Sequence, residues 1–150
     1  MPSSYLCLHY HLIFSTKHRK PQIVPDLAPR LYDYIGGIVR GVGGVLIAAG
    51  GMTDHVHLLV RLGAVRGISD VLRDIKSGSS GWVHTTFPEH TEFAWQTGYA
   101  AFAVSSSGID AVREYIERQE EHHTETTFQE ELVAFLDKHG IPYDEQYLWE

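Results

Sequence analysis

Several things are scarce in this chain of 150 residues, and each shortage narrows what it can be. There is one cysteine, Cys7, so neither an internal disulfide nor a cysteine-built zinc cage is available. Cys7 lies in an apolar run and reads as a small buried hydrophobe rather than a reactive thiol. No apolar stretch approaches the ~20 residues of a membrane-crossing helix, and no basic-then-apolar leader opens the chain. The resulting expectation is a cytoplasmic protein without a membrane partner. Positive charge is short too, with 12 Lys and Arg against 19 Asp and Glu, net −7. An acidic balance argues against a nucleic-acid partner only when it is evenly spread. Here residues 1–109 hold nine Lys/Arg and seven Asp/Glu, a balance of +2, while residues 110–150 hold three and twelve, a balance of −9. A basic surface on the first half is therefore compatible with an acidic whole.

What is present suits one domain, 1–150, with 43% hydrophobic residues and room for a sizeable core. Tyr5 to Phe14 alternates as a strand, with Leu6, Leu8, Tyr10, Leu12 and Phe14 on one face and Tyr5, Cys7, His9, His11 and Ile13 on the other. A basic turn, Thr16 to Pro21, follows. Leu27, Leu31, Tyr34, Ile35, Ile38 and Val42 recur at helical spacing from Asp26 to about Val42, and glycines end that helix. Val45–Ala49 and His55–Leu62 are strands joined so closely, around a Gly50-Gly51 turn, that they must form an antiparallel hairpin. Ile68, Val71, Leu72 and Ile75 mark a second helix running towards Trp82, and Gly98–Ser105 a last strand. A third helix spans about Ile109–His122. A fourth is introduced by the capping box Thr127-Phe128-Gln129-Glu130 and runs to about Lys138. The aromatic tail Tyr143–Trp149 is expected to pack down.

Strand, helix, strand, strand, helix, strand and then two helices is the order of an α+β, ferredoxin-like split-βαβ protein. Its antiparallel sheet carries helices on one face, and the two C-terminal helices are additional. On that plan the first and third strands are central neighbours.

The chemistry-bearing stretch is Thr53-Asp54-His55-Val56-His57-Leu58-Leu59-Val60. Strand side chains alternate faces, so His55 and His57 point the same way, roughly 6–7 Å apart at Cβ. Two imidazoles on one side of a strand supply two-thirds of a metal site. The other side, Val56, Leu58 and Val60, is core. The uncovered sheet face is expected to carry the pair, next to His9 and His11, which read as satisfied core or surface histidines, the alternative being support of the site from behind its ligands or contact with DNA. Asp54 either orients His55 or closes the preceding turn. Leu59, where a metallo-β-lactamase-type hydrolase needs aspartate and a histidine-triad hydrolase needs histidine, excludes both. On the third helix, Ile109, Val112 and Ile116 form the core stripe, with Tyr115 and Gln119 one turn apart beside it. Such a pair can bracket one object, but a helical tyrosine beside a core stripe is ordinarily packing. Trp82, Trp95 and Trp149 read as core, and His122 and His123 as favourable helix-end charges.

Five blocks in order change the weight of these residues: His11-Leu12-Ile13-Phe14-Ser15-Thr16-Lys17-His18-Arg19, Asp54-His55-Val56-His57-Leu58-Leu59, Trp95 to Ser105, Tyr115 to His123, and Phe128-Gln129-Glu130-Glu131 with His139 to Trp149. In them the chain resembles the single-tyrosine HUH transposases of the insertion-sequence 200/605 group and their REP-associated relatives. Thr53 and Ala100 depart from that family's usual proline and glycine, outside the chemistry. The resemblance implies that His55, His57 and Gln119 bind a divalent metal, Mg²⁺ or Mn²⁺, and that Tyr115 is the nucleophile. It implies cleavage and rejoining of single-stranded DNA at hairpin-bearing element ends through a 5′-phosphotyrosine intermediate. A homodimer is implied, with Tyr115 acting in cis or in trans. Lys17, Arg19, Lys20, Arg61, Arg66, Arg73 and Lys76 are the candidates for phosphate contact. The alternative is a domesticated hairpin-binding protein or nickase that keeps the fold without transposition.

Overall fold

The computed structural model describes residues 3–122 and 126–148, without the side chain of His122. The readings of the His122 and His123 side chains and of Trp149 therefore fall outside the described residues. Four strands, β1 (His9–Ser15), β2 (Val45–Gly51), β3 (His55–Arg61) and β4 (Ala100–Val104), form one antiparallel sheet in the order β2-β3-β1-β4. The expected central pairing of β1 with β3 is present, in a register that sets Ser15 opposite His55 and Ile13 opposite His57.

Helices α1 (Ala28–Gly41) and α2 (Ile68–Thr86) cover one face. They close over Leu12 and Phe14 of β1 and Val56, Leu58 and Val60 of β3, all fully buried. The alternation along β1 and β3 makes this inevitable, because the apolar set of each strand lies on one side. Thr16, also fully buried, directly follows β1. Its hydroxyl donates to the Lys20 carbonyl at 2.6 Å and its amide to the Asp54 carbonyl at 2.9 Å. The basic turn is thus tied to the residue preceding His55. Within that turn His18 and Arg19 both adopt positive φ, 58° and 55°.

The opposite face is where the structure corrects the expectation of an open surface. It is covered by α3 (Ile109–Glu117), the single turn α4 (Gln119–His122) and α5 (Phe128–Lys138). Ile116 packs on Leu59 and Ala48, and Phe128, Leu132 and Leu136 pack on Ile13 and Phe102. The sheet is a filling between two helical layers, and His55 and His57 are completely buried. Thr127 caps α5 as the sequence predicts, its hydroxyl accepting from the Glu130 amide at 3.2 Å and donating to the Glu130 carboxylate at 3.0 Å.

Three further boundaries differ. The first strand begins at His9 rather than Tyr5, leaving Tyr5 92% exposed and Cys7 on the surface instead of in the core. Alternation alone does not make a strand where no neighbour pairs with it. Gly50 and Gly51 are not the hairpin turn but the end of β2, paired with His57 and Val56, and the turn falls at residues 52–54. Gly50 is required there because a Cβ would lie 2.2 Å from the Ile116 carbonyl oxygen, so α3 rests directly on its backbone. Finally, the third helix breaks: Arg118 leaves helical geometry (φ −104°, ψ 23°), and Gln119 starts a separate turn.

Candidate metal and tyrosine site

β3 delivers the two imidazoles to the layer beneath α3–α5. His55 Nδ1 lies 2.7 Å from Asp54 Oδ1, which fixes the ring and leaves Nε2 facing inward. Asp54 thus takes the first of its two readings, orienting His55 with its carboxylate; its carbonyl receives the Thr16 amide from the neighbouring strand end rather than closing the preceding turn, which Met52 N–H closes on the His55 carbonyl at 3.1 Å. His57 Nδ1 lies 2.8 Å from His11 Nε2, so His11 is not a bystander in the core but a direct neighbour of the pair. Its ring is 2% exposed, and burial together with the adjacent His57 pushes its pKa down to about 3, keeping it neutral.

The break at Arg118 rotates Gln119 inward. The amide is 1% exposed, with Oε1 3.1 Å from His55 Nε2. Tyr115, half-buried at the end of α3, places its ring 5.9 Å from that of His57. The expected meeting of His55, His57, Gln119 and Tyr115 is therefore realised, within a single chain.

The residue the sequence reading passed over is Glu131. It projects from α5 into the centre of this group with 5% exposure. Oε1 lies 2.8 Å from His57 Nε2 and 3.5 Å from His55 Nε2. Oε2 accepts from the Gln119 amide at 3.0 Å and from the Tyr115 hydroxyl. A signal for it exists in the sequence. Phe128, Leu132, Phe135 and Leu136 form the apolar stripe of α5, and Glu131 stands in the middle of that stripe at i+3 from Phe128. A carboxylate at a core-facing position needs compensating partners.

The electrostatics follow from this packing. Burial opposes the charged form of His55, but hydrogen bonds to Asp54 and Glu131 overcome it and raise the pKa to about 9. Burial would raise Glu131 likewise, yet hydrogen bonds from His55 and His57 hold it well below the usual carboxylate range. Tyr115 is pushed above its ordinary value, first by burial and then by the neighbouring carboxylate. The ligating atoms of His55, His57 and Glu131 all lie within 4.8 Å of one another. Two imidazoles and a carboxylate sharing one buried point, with an amide oxygen adjacent, form a donor set that fits a divalent cation.

The candidate phosphate contacts are placed less uniformly. Lys17, Lys20, Arg61 and Arg73 are exposed, and Arg19 is partly so. Arg66 pairs with Asp74. Arg73 lies 3.4 Å from Asp70. Lys76 donates to the carbonyls of Gln96, Thr97 and Gly98 at 3.0, 3.3 and 2.7 Å, and burial lowers its pKa to about 8. Its ammonium thus ties α2 to the loop before β4. In the same block Trp95 is partly buried and packs on the core against Phe14 and Phe93, with its indole donating to buried Ser79.

A buried histidine pair, an inward amide and a tyrosine on a ferredoxin-like sheet define a recognisable class. The family model for IS200-like transposases matches residues 4–119, and the chain belongs to that family. It is 30% identical over 117 residues to the ISDra2 transposase TnpA of Deinococcus radiodurans, a match covering 75% of this chain and 84% of that protein. A crystal structure of a Deinococcus radiodurans R1 protein described as a transposase superposes with a TM-score of 0.62 at 29% identity, covering 79% of this chain and 96% of that one. The REP-associated tyrosine transposase bound to a REP hairpin shares the fold, with a TM-score of 0.59 at 16% identity over 82% of this chain and 74% of that one. Among the described residues no helix is long and apolar enough to cross a membrane.

Proposed function

We propose that the protein cleaves and rejoins single-stranded DNA at hairpin-bearing ends, with Tyr115 as nucleophile and a 5′-phosphotyrosine link as intermediate. One observation carries the reading. In a chain of the IS200-like transposase family, the Tyr115 hydroxyl, the His55–His57 pair and the Gln119 amide converge on the Glu131 carboxylate. Tyr115 attacks phosphorus and the 3′-oxygen leaves. The phosphodiester energy is conserved in the new link, so a second 3′-hydroxyl can reverse the step and join new ends without a nucleotide cofactor. His55, His57, Gln119 and Glu131 would hold Mg²⁺ or Mn²⁺, which when bound polarises the scissile phosphate.

The chain's own residues prepare the nucleophile. Glu131 fixes the phenol hydroxyl, and α3, seated on Gly50, fixes the ring. A cleft of about 490 Å³ lined by His11, Val112, Tyr115, Glu131, Phe135 and Lys138 opens onto the phenol, and DNA approaches through it. The convergence of the whole set within one chain supports cleavage in cis, with a homodimer in which Tyr115 serves the partner's histidine pair as the alternative arrangement. Exposed Lys17 and Lys20 and partly exposed Arg19, linked through Thr16 to Asp54, are the phosphate contacts nearest the histidines in the chain's connectivity, and Arg61 and Arg73 extend them.

Incubation with a 3′-labelled hairpin end and Mn²⁺ should yield an SDS-resistant protein–DNA adduct. Tyr115→Phe should abolish it, and His57→Ala should abolish cleavage while hairpin binding survives. Failure of the wild-type protein to form any adduct with its own flanking palindromes, or an adduct persisting in Tyr115→Phe, overturns the nucleophile assignment. Hairpin binding without any cleavage would instead support a domesticated binder.

A further inference from the structure

A histidine in the setting of His11 needs a reason. Its ring is surrounded edge-on by Phe135 at 5.2 Å, Tyr115 at 6.3 Å and Phe102 at 6.4 Å, an environment that would hold a phenyl ring at least as well. Burying an imidazole there costs on the order of 1–3 kcal/mol unless its polar atoms are satisfied. Among the described residues its hydrogen-bond partner is His57, at 2.8 Å, through Nε2. His57 in turn faces Glu131 and the metal-donor cluster with its own Nε2.

From this chain of contacts we infer that His11 is the positioning residue that sets the tautomer and ring orientation of His57 for cation binding. The inference rests on the proposed metal role of His57. An imidazole can ligate through Nε2 only when that nitrogen carries no proton, so the remaining proton of neutral His57 must sit on Nδ1. The Nδ1 hydrogen then points at His11 Nε2, which must be an unprotonated acceptor, with its own proton on Nδ1. Without a cation the polarity reverses. His57 Nε2–H donates to Glu131 and His57 Nδ1 accepts from His11 Nε2–H, so both nitrogens of His57 keep a partner. One neutral imidazole, able to donate or accept at the same atom, serves both states. Phenylalanine can do neither, and a carboxylate at this place would accept but never donate. His11 plays for His57 the part Asp54 plays for His55, so each imidazole of the pair has its own orienting neighbour.

The test measures Mn²⁺ binding to the protein without DNA, by calorimetry, beside circular dichroism. His11→Phe should weaken Mn²⁺ binding by roughly 10–100-fold, the range for loss of an orienting outer contact. His11→Gln, whose side-chain amide can also donate or accept, should stay within about threefold of wild type. Nitrogen-15 NMR of the Mg²⁺-loaded wild-type protein should find the His57 proton on Nδ1, and the metal-free protein should show it on Nε2. Unchanged affinity in His11→Phe, equal losses in His11→Phe and His11→Gln, or an Nε2 proton in the loaded protein overturns the inference. Should His11→Phe fail to fold, the glutamine variant and the tautomer measurement decide. Absence of Mn²⁺ binding by wild type is a separate result, which removes the metal reading itself and the inference with it.

Discussion

Replacing Glu131 by glutamine tests the centre of the site with almost no change in volume. In the native protein this carboxylate is 5% exposed and accepts from His57, Gln119 and the Tyr115 hydroxyl, with His55 Nε2 at 3.5 Å. Glutamine keeps one acceptor oxygen and brings an NH₂ in place of the other, so either the Gln119 and Tyr115 donors lose their acceptor or His57 must move its proton to Nδ1 to receive the NH₂. It also removes the negative charge that compensates a protonated His55. Hydrogen bonds to charged groups contribute about 1.5–3 kcal/mol each, and removing one partner of a buried charge pair costs about 3–5 kcal/mol. Partial repacking sets the expectation at about 3 kcal/mol for the metal-free protein at pH 7. For a chain of this size that is roughly 6–12 °C in Tm. With Mn²⁺ the effect is larger in kind, since a charged donor leaves the set, and affinity should fall by about 100-fold or more. Calorimetric melting in EDTA and Mn²⁺ titration read the two effects separately. A variant that melts with wild type and binds Mn²⁺ equally well would refute the placement of this carboxylate at the meeting point of histidines, amide and phenol.

The same geometry has consequences elsewhere. Gly50→Ala forces a Cβ to within 2.2 Å of the Ile116 carbonyl, and backbone does not yield as a side-chain tip does, so α3 must shift. Stability should drop by about 1–3 kcal/mol and adduct formation should fall disproportionately, whereas Gly37→Ala, whose Cβ meets only the Arg40 guanidinium at 3.6 Å, should be neutral or stabilising. Stability in EDTA should depend on pH from both sides. His55 is raised to about 9 from 6.5, so its contribution is full below 6.5 and is lost as pH rises through 9, about 3 kcal/mol in all. His11 is lowered to about 3, so its contribution is full above 6.5 and is lost as pH falls towards 3. Urea midpoints at pH 5, 6.5 and 9 check both arms, and a flat line from 6.5 to 9 contradicts the charged His55.

The parts of the fold that alternation and capping control were legible in the sequence. β1 with β3, the capping box of α5 and the shared face of His55 and His57 depend on local periodicity, which a single chain displays. Cys7 was misjudged because strand character there depends on a pairing partner that local sequence does not reveal. The covered face escaped notice for a related reason: nothing in the periodicity of β3 tells whether a helix 60 residues later returns to it. The pairing of Tyr115 with Gln119 was visible as a one-turn spacing, yet the chain reaches that arrangement through a break at Arg118, which helical periodicity conceals. Glu131 was legible only as an anomaly, a charge inside an apolar stripe, and its partners lie 16 residues away at Tyr115 and 74 away at His57.

That last separation has a bearing on timing. Protein emerges from the ribosome N-terminus first, so the sheet and its paired histidines can assemble well before α5 exists. The carboxylate that joins the histidines to the tyrosine arrives only with α5, after the α3 layer has been synthesised. A nascent chain paused before residue 128 carries the imidazoles and the phenol without the group that draws them together. In a DNA-cleaving enzyme, competence is thereby deferred until α5 has been made, and truncated products that retain the sheet but lack α5 should be inert.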